Sequence, residues 1–221
     1  VDNAGFLVSP SCAIRLKESL PFVSRGGLKL KGGLDHFDID PHGWCCLDVG
    51  ASTGGFTDCL LQHGASRVYA VDVGYGQLAW KLRQDPRVVV IERTYIRHMP
   101  PDVITEPVDF ATIDVSFISL KIVVPAVIAF LKTDAKVLAL IKPQFEVGKG
   151  QVGKGGIVRD PALHSSALIA VAESLEAVGL GARGVVPSPV TGAKGNREFL
   201  LWVQLGAPTL DAEQIDGVVK R

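Results

Sequence analysis

Leu47-Asp-Val-Gly-Ala-Ser-Thr-Gly-Gly-Phe56 decides how this chain is read. An apolar run from Trp44 to Val49 leads into it, and an amphipathic stretch from Phe56 to His63 leads out and stops at Gly64. The pattern is a buried strand, a glycine-rich turn and a helix. Outward from it the same alternation repeats. Arg67–Asp72, Arg87–Glu92, Val108–Asp114 and Lys136–Lys142 read as further strands, with helices expected over Gln77–Arg83 and about Ser119–Leu131. Near-continuous apolar strands alternating with helices imply parallel crossovers, hence a mostly parallel, doubly wound α/β sheet.

The last third changes character. Pro143 to Arg159 is rich in Gly and Lys without a period and reads as a loop. Asp160 followed by Pro161 is a helix start, and that helix is expected to reach Ala177 before Gly179. Ala182–Pro187 and Glu198–Leu205 read as an antiparallel pair at the sheet edge. Residues 23–205 thus form one domain. Residues 206–221 are set apart as a tail, and residues 1–22 hold one strand-like stretch, Ile14–Lys17, too short to be a domain.

Lys+Arg and Asp+Glu both number 23, so any affinity for nucleic acid must come from locally gathered charge. The cysteines, Cys12, Cys45, Cys46 and Cys59, show no C-x-x-C spacing, and no metal site is expected. Free thiols and the lack of a charged-then-apolar leader point to the cytoplasm. The longest apolar stretch, Ile122 to Leu131, is too short to span a bilayer and contains Pro125.

The turn itself has two readings. Glycines at 50, 54 and 55 let backbone approach a ligand, and Asp72 ends the next strand, where an acid can accept ribose hydroxyls. A dinucleotide would need G-x-G-x-x-G, and Asp48 before the turn would repel a pyrophosphate. It suits a ligand with a cationic amino-acid end, as S-adenosylmethionine has. The other reading is a tight structural turn with a buried capping Asp.

Asp114 ends the fourth strand and Lys142 the fifth, so both can reach one crevice. A lysine closing an apolar strand is costly unless paired, and a paired one can serve as a base. On the residues alone, a solvated lysine and a helix-capping aspartate explain the pattern as well.

Several blocks resemble one family. They are the turn itself, Ser24-Arg-Gly-Gly-Leu-Lys29-Leu, Glu92-Arg-Thr94, Asp114-Val-Ser-Phe-Ile-Ser119, Ile141-Lys-Pro-Gln-Phe-Glu146, Gly153-Lys-Gly-Gly-Ile-Val-Arg-Asp160 and Gly195-Asn-Arg-Glu-Phe-Leu200. Their order is similar to that of the TlyA/hemolysin A family, within the FtsJ-like ribose 2′-O-methyltransferases of ribosomal RNA. The resemblance implies a Rossmann-like S-adenosylmethionine-dependent fold and a tetrad falling on Lys29, Asp114, Lys142 and Glu198. Lys142 would deprotonate the ribose 2′-hydroxyl, Asp114 would orient it, and Lys29 with Glu198 would position the sugar. It also implies S-adenosylmethionine near Asp48, Gly50, Ser52, Gly54, Gly55, Phe56, Asp72 and Asp114, with Glu92 beside the adenine. Two departures stand out. Tyr95 follows Glu-Arg-Thr where the family usually has Asn, and the family's N-terminal S4 RNA-binding module is reduced to a remnant, Leu7 through Glu18.

Arg25 and Lys31 near the start, Lys149, Lys154 and Arg159 in the Gly-rich segment, and Lys194 and Arg197 in the later turn would form a phosphate-binding rim if these stretches gather. Solvated loops are the plainer account. Tyr75, Trp80, Phe117 and Phe145 are candidates to stack on bases, with core or crevice packing the more ordinary role. Two competing functions remain: a non-catalytic RNA- or cofactor-binding protein of the same fold, which the full tetrad disfavours, and a membrane-active haemolysin, which lacks a suitable segment.

Overall fold

The structure, a computed structural model, describes residues 20–220; the stretch from Leu7 through Glu18 that resembles part of an S4 module, and Cys12 within it, lie outside them. Seven strands form one sheet: β1 (Cys45–Val49), β2 (Arg67–Val71), β3 (Val88–Ile91), β4 (Val108–Ile113), β5 (Leu131–Ile141), β6 (Leu180–Pro187) and β7 (Phe199–Leu205). Their order is β3-β2-β1-β4-β5-β7-β6. β3 to β5 pair in parallel, and β6 and β7 make the antiparallel pair expected at the edge. Within that pair β7 alone reverses, wedged between β5 and β6.

Helices cover both faces: α1 (Gly26–Phe37), α2 (Gly55–Gln62), α3 (Trp80–Arg83), α4 (Leu120–Val127), α5 (Pro143–Glu146), α6 (Pro161–Glu176) and α7 (Ala212–Val219). One core layer gathers Leu47, Ile113, Val124 and Val171; the other gathers Leu30, Phe56, Leu60 and Leu138. Burial of such side chains contributes roughly 1.5–3 kcal/mol each before conformational entropy is counted.

Two helices go beyond the sequence reading. α1 carries four glycines, each about 1 kcal/mol less favourable than alanine in a helix. Packing overrides that penalty. A Cβ on Gly27 would sit 2.3 Å from the Phe22 ring, and one on Gly33 would sit 2.7 Å from Leu138 Cδ2. The glycines let α1 press against the sheet. The stretch set apart as a tail folds as α7, capped by Asp211 and Gln214, and Ile215 and Val219 are buried in the core. Part of the expected 143–159 loop is ordered as well. There α5 sends Glu146 to accept from Ser119 Oγ at 2.6 Å and Leu120 N at 2.8 Å, capping α4.

Candidate active site

A crevice opens where β1, β4 and β5 end. Turn residues 50–53 form one wall, Arg25 and Lys29 another, and Asp114, Ser116 and Lys142 the floor. Gly50 has φ of 86°, and a Cβ there would lie 2.5 Å from the Asp114 carbonyl oxygen, so only glycine lets the turn close onto β4. Gly54, at φ 97°, likewise leaves no space against Leu82.

Strand register brings the tetrad together. β4 and β5 run parallel, so Asp114 and Lys142, each one residue past its strand, emerge at the same end. β7 runs against β5 with Ile141 opposite Phe199, and one further step places position 198 opposite 142. Because β7 reverses, Glu198 comes to Lys29 at the crevice without lining the crevice itself. α1, seated on Leu138 and Leu200 through Gly33, lowers Lys29 from above.

The four side chains form two ion pairs. Lys29 Nζ lies 2.5 Å from Glu198 Oε2, with the side chains 11% and 3% exposed. Gly192 closes over that carboxylate, since a Cβ there would meet Glu198 Oε1 at 1.9 Å. Lys142 Nζ lies 2.6 Å from Asp114 Oδ1 and donates a hydrogen bond to Ser116 Oγ at 2.9 Å. The Lys142 ammonium thus occupies Asp114 Oδ1, a buried oxygen with no other donor on it among the described residues. Ser116 went unnoticed as a site residue in the sequence; its signal was its place two residues past Asp114.

The expected cofactor residues divide. Gly50, Ser52, Gly55, Phe56 and Asp114 line the crevice. Asp48 does not. It is fully buried beneath the turn, accepting from Thr57 Oγ1 at 2.7 Å and Thr112 Oγ1 at 3.2 Å. Burial pushes its carboxyl up to about 7 against those hydrogen bonds. Asp48 thus supports the turn from inside, where two hydroxyls rather than a ligand satisfy it. Asp72 accepts from Ser52 N at 2.8 Å and Gly74 N at 2.6 Å, tying the turn to β2 while each oxygen keeps a second lone pair. Glu92 pairs with Arg83 and accepts from Gly76 N at 2.9 Å, away from the crevice wall.

The basic residues do not form one continuous rim. Arg25 is exposed at the crevice. Lys31 is exposed and neutralised by Asp35 at 2.7 Å. Lys154 is exposed, and the side chain of Lys149 lies outside the described residues. Arg159, Lys194 and Arg197 line a separate hollow. The aromatics depart from the packing role expected of them: Tyr75 is 68% exposed, Trp80 73% and Phe117 90%. Phe117 has φ of 64° and touches the Phe145 ring, with centroids 5.0 Å apart. Among the described residues no helix is long and apolar enough to cross a membrane, and no group of three His, Cys, Asp or Glu is placed to hold a metal ion.

A sheet of this order, with a glycine turn after β1 and ion pairs at the strand ends, defines the class of S-adenosylmethionine-dependent methyltransferases. The chain belongs to the FtsJ-like methyltransferase family, whose model matches residues 22–205. It is 50% identical over 201 residues to the 16S/23S rRNA (cytidine-2′-O)-methyltransferase TlyA of Mycobacterium tuberculosis, covering 90% of this chain and 75% of that protein. A solved structure from Streptococcus thermophilus, described as a hemolysin, superposes with a TM-score of 0.87 at 45% identity, covering 92% of this chain and 74% of the other. The fold extends to Aeropyrum pernix fibrillarin with natively bound S-adenosyl-L-methionine, at a TM-score of 0.53 and 18% identity, over 80% and 72% of the two chains.

Proposed function

We propose that this chain methylates the ribose 2′-hydroxyl of ribosomal RNA, with S-adenosylmethionine as methyl donor. The observation that carries the reading is the convergence of two lysine–carboxylate pairs on the crevice beside the Gly50 turn. Membership of the FtsJ-like family and the activity named for the M. tuberculosis relative support it.

The residues fit the donor molecule. Asp114, which lines the crevice, offers a carboxylate for the ammonium of an amino-acid end, its charge shared with Lys142. Gly50 and Ser52 bring backbone to the crevice, and Asp72 retains lone pairs for ribose hydroxyls. When bound, the donor supplies an electrophilic sulfonium methyl. Lys142, once neutral, takes the proton of the 2′-hydroxyl as its oxygen becomes the nucleophile. Asp114 and Ser116 hold the Lys142 amine in place, and the Lys29–Glu198 pair orients the sugar. Positioning supplies much of the acceleration, since the oxygen must lie in line with the methyl carbon. Phe117 presents a free ring on which a base can stack. The ribosomal RNA activity named for the M. tuberculosis relative supports a cytoplasmic site of action.

The test is transfer of labelled methyl to ribosomal subunits, followed by nuclease digestion and nucleoside analysis. The expected product is a 2′-O-methylated nucleoside from the wild type and none from Lys142→Ala. Label on a base alone, or equal transfer by both proteins, overturns the reading.

A further inference from the structure

Arg159, Lys194 and Arg197 come from two separated loops, yet they line one hollow of about 350 Å³ together with His164. That is room for a nucleotide-sized group rather than a single water, whose share of the liquid is about 30 Å³. No carboxylate lines it, and none of the three cations is ion-paired among the described residues. The adjacent Asp160 faces elsewhere, accepting from Ala162 N to cap α6.

The hollow is built rather than casual. Asn196, 3% exposed, accepts from Val158 N at 3.1 Å and donates to the Gly156 carbonyl at 3.0 Å, clipping the two loops together. Arg197 Nη1 donates to the Val219 carbonyl at the end of α7, 3.1 Å away, and its guanidinium lies over the Phe199 ring. His164, 2% exposed, donates from Nε2 to the Val158 carbonyl at 2.9 Å, and its buried Nδ1 has no partner. Three cations without a carboxylate partner among the described residues, on loops joined by Asn196, make an anion site.

We propose that this hollow binds a backbone phosphodiester of the RNA strand, flanking the nucleotide whose ribose enters the crevice. The inference rests on the function proposed above. The geometry supplies the adjacency: Arg197 faces the hollow, and Glu198, the next residue, belongs to the tetrad. A strand gripped at Arg197 is anchored at the chain position that leads into the Glu198 end of the tetrad. Such contacts position without reading sequence.

The test compares wild type with the double variant Arg159→Gln/Lys194→Asn; asparagine tolerates the left-handed backbone at 194, where φ is 61°. Affinity for a ribosomal RNA transcript is measured at several salt concentrations, alongside methyl transfer. Affinity should fall roughly tenfold and the salt slope become shallower by about two, with kcat at saturating RNA retained. Lys132→Ala, at the opposite end of β5, should change neither, and unaltered donor binding and melting confirm the fold. Unchanged affinity and slope in the double variant, while wild type methylates RNA, overturn the hollow and leave the proposed function standing. Loss of kcat without loss of affinity overturns it as well. A wild type that neither binds nor methylates RNA overturns both.

Discussion

Lys29 and Glu198 meet at 2.5 Å although 169 residues separate them, so one ion pair joins the first helix to the last strand of the sheet. Both side chains are largely withdrawn from water, and removing one partner leaves a buried charge uncompensated. Glu198→Gln should lower stability by roughly 2–4 kcal/mol and reduce methyl transfer by two orders of magnitude or more. The double variant Lys29→Met/Glu198→Leu should recover much of the stability and none of the transfer. Thermal melting with single-turnover methyl transfer separates the two effects; recovery of transfer in the double variant would remove the pair from the site.

Lys142 can be tested as a base apart from its charge. Arginine keeps the positive charge beside Asp114 but cannot be deprotonated in a protein. Lys142→Arg and Lys142→Ala should therefore both lose transfer by at least 10²-fold, the lower range for losing a general base. Donor binding, followed by calorimetry, should survive in the arginine variant. Substantial transfer by Lys142→Arg would reassign Lys142 to charge stabilisation.

Much of this architecture is legible in the sequence because β1 to β5 are apolar runs punctuated by glycine, proline and acids. Of the proposed tetrad, strand ends point only to Asp114 and Lys142, while Lys29 and Glu198 enter through the family resemblance alone. The misses have physical causes. α1 was hidden by Gly26, Gly27, Gly32 and Gly33, whose low helix propensity is a condition for close packing on the sheet. Asp48 reads as a ligand group because sequence reports a charge but not which side of a turn it faces. α7 left a signal that went unused: Asp211 with Gln214 is a capping box, followed by Ile215 and Val219 at helical spacing. The cations of the second hollow are legible as candidates for phosphate, but not their grouping apart from the other basic residues, since nothing local in residues 153–159 or 192–197 announces that Asn196 joins them.

The standing of α7 as part of the domain can be measured. Ile215 is 2% exposed within the core that includes Leu175 and Leu180. Ile215→Ala should cost about 2–4 kcal/mol, the range for an aliphatic core truncation, and lower the melting temperature by several degrees. A change under about 0.5 kcal/mol, as for an ordinary surface substitution, would show that α7 is an appendage.

Asp48 gives the apo protein a pH dependence of definite sign. Its carboxyl titrates near 3.8 in an unfolded chain and about 7 when buried beneath the turn. Between those values the folded state holds a proton that the unfolded state has released, so this group lowers stability as pH rises through the window. Below 3.8 and above about 7 its contribution is flat. Asp48→Asn retains a side-chain oxygen for Thr57 or Thr112 and removes the titration. The variant's advantage in melting temperature should grow from acid toward neutral pH and then level off. A constant difference across that range would contradict the assignment of burial as the dominant effect.

Phe117 combines two features that rarely serve a fold. Its ring is 90% exposed, and its backbone holds a left-handed conformation that costs a side-chain-bearing residue roughly 1–2 kcal/mol. Strain of that kind, unrelieved by burial, concentrates at functional positions. In the chain it falls between Asp114 and the Ser119 cap of α4, and its ring has Phe145 as its one aromatic neighbour among the described residues. Stacking on an aromatic ring is worth about 1–3 kcal/mol per base, so Phe117→Ala should weaken productive RNA binding roughly tenfold or more. Donor affinity and melting temperature should stay within error, and Phe117→Trp should restore the RNA KM while Phe117→Leu restores little. If leucine rescues as well as tryptophan, the ring acts by bulk alone and the stacking assignment fails.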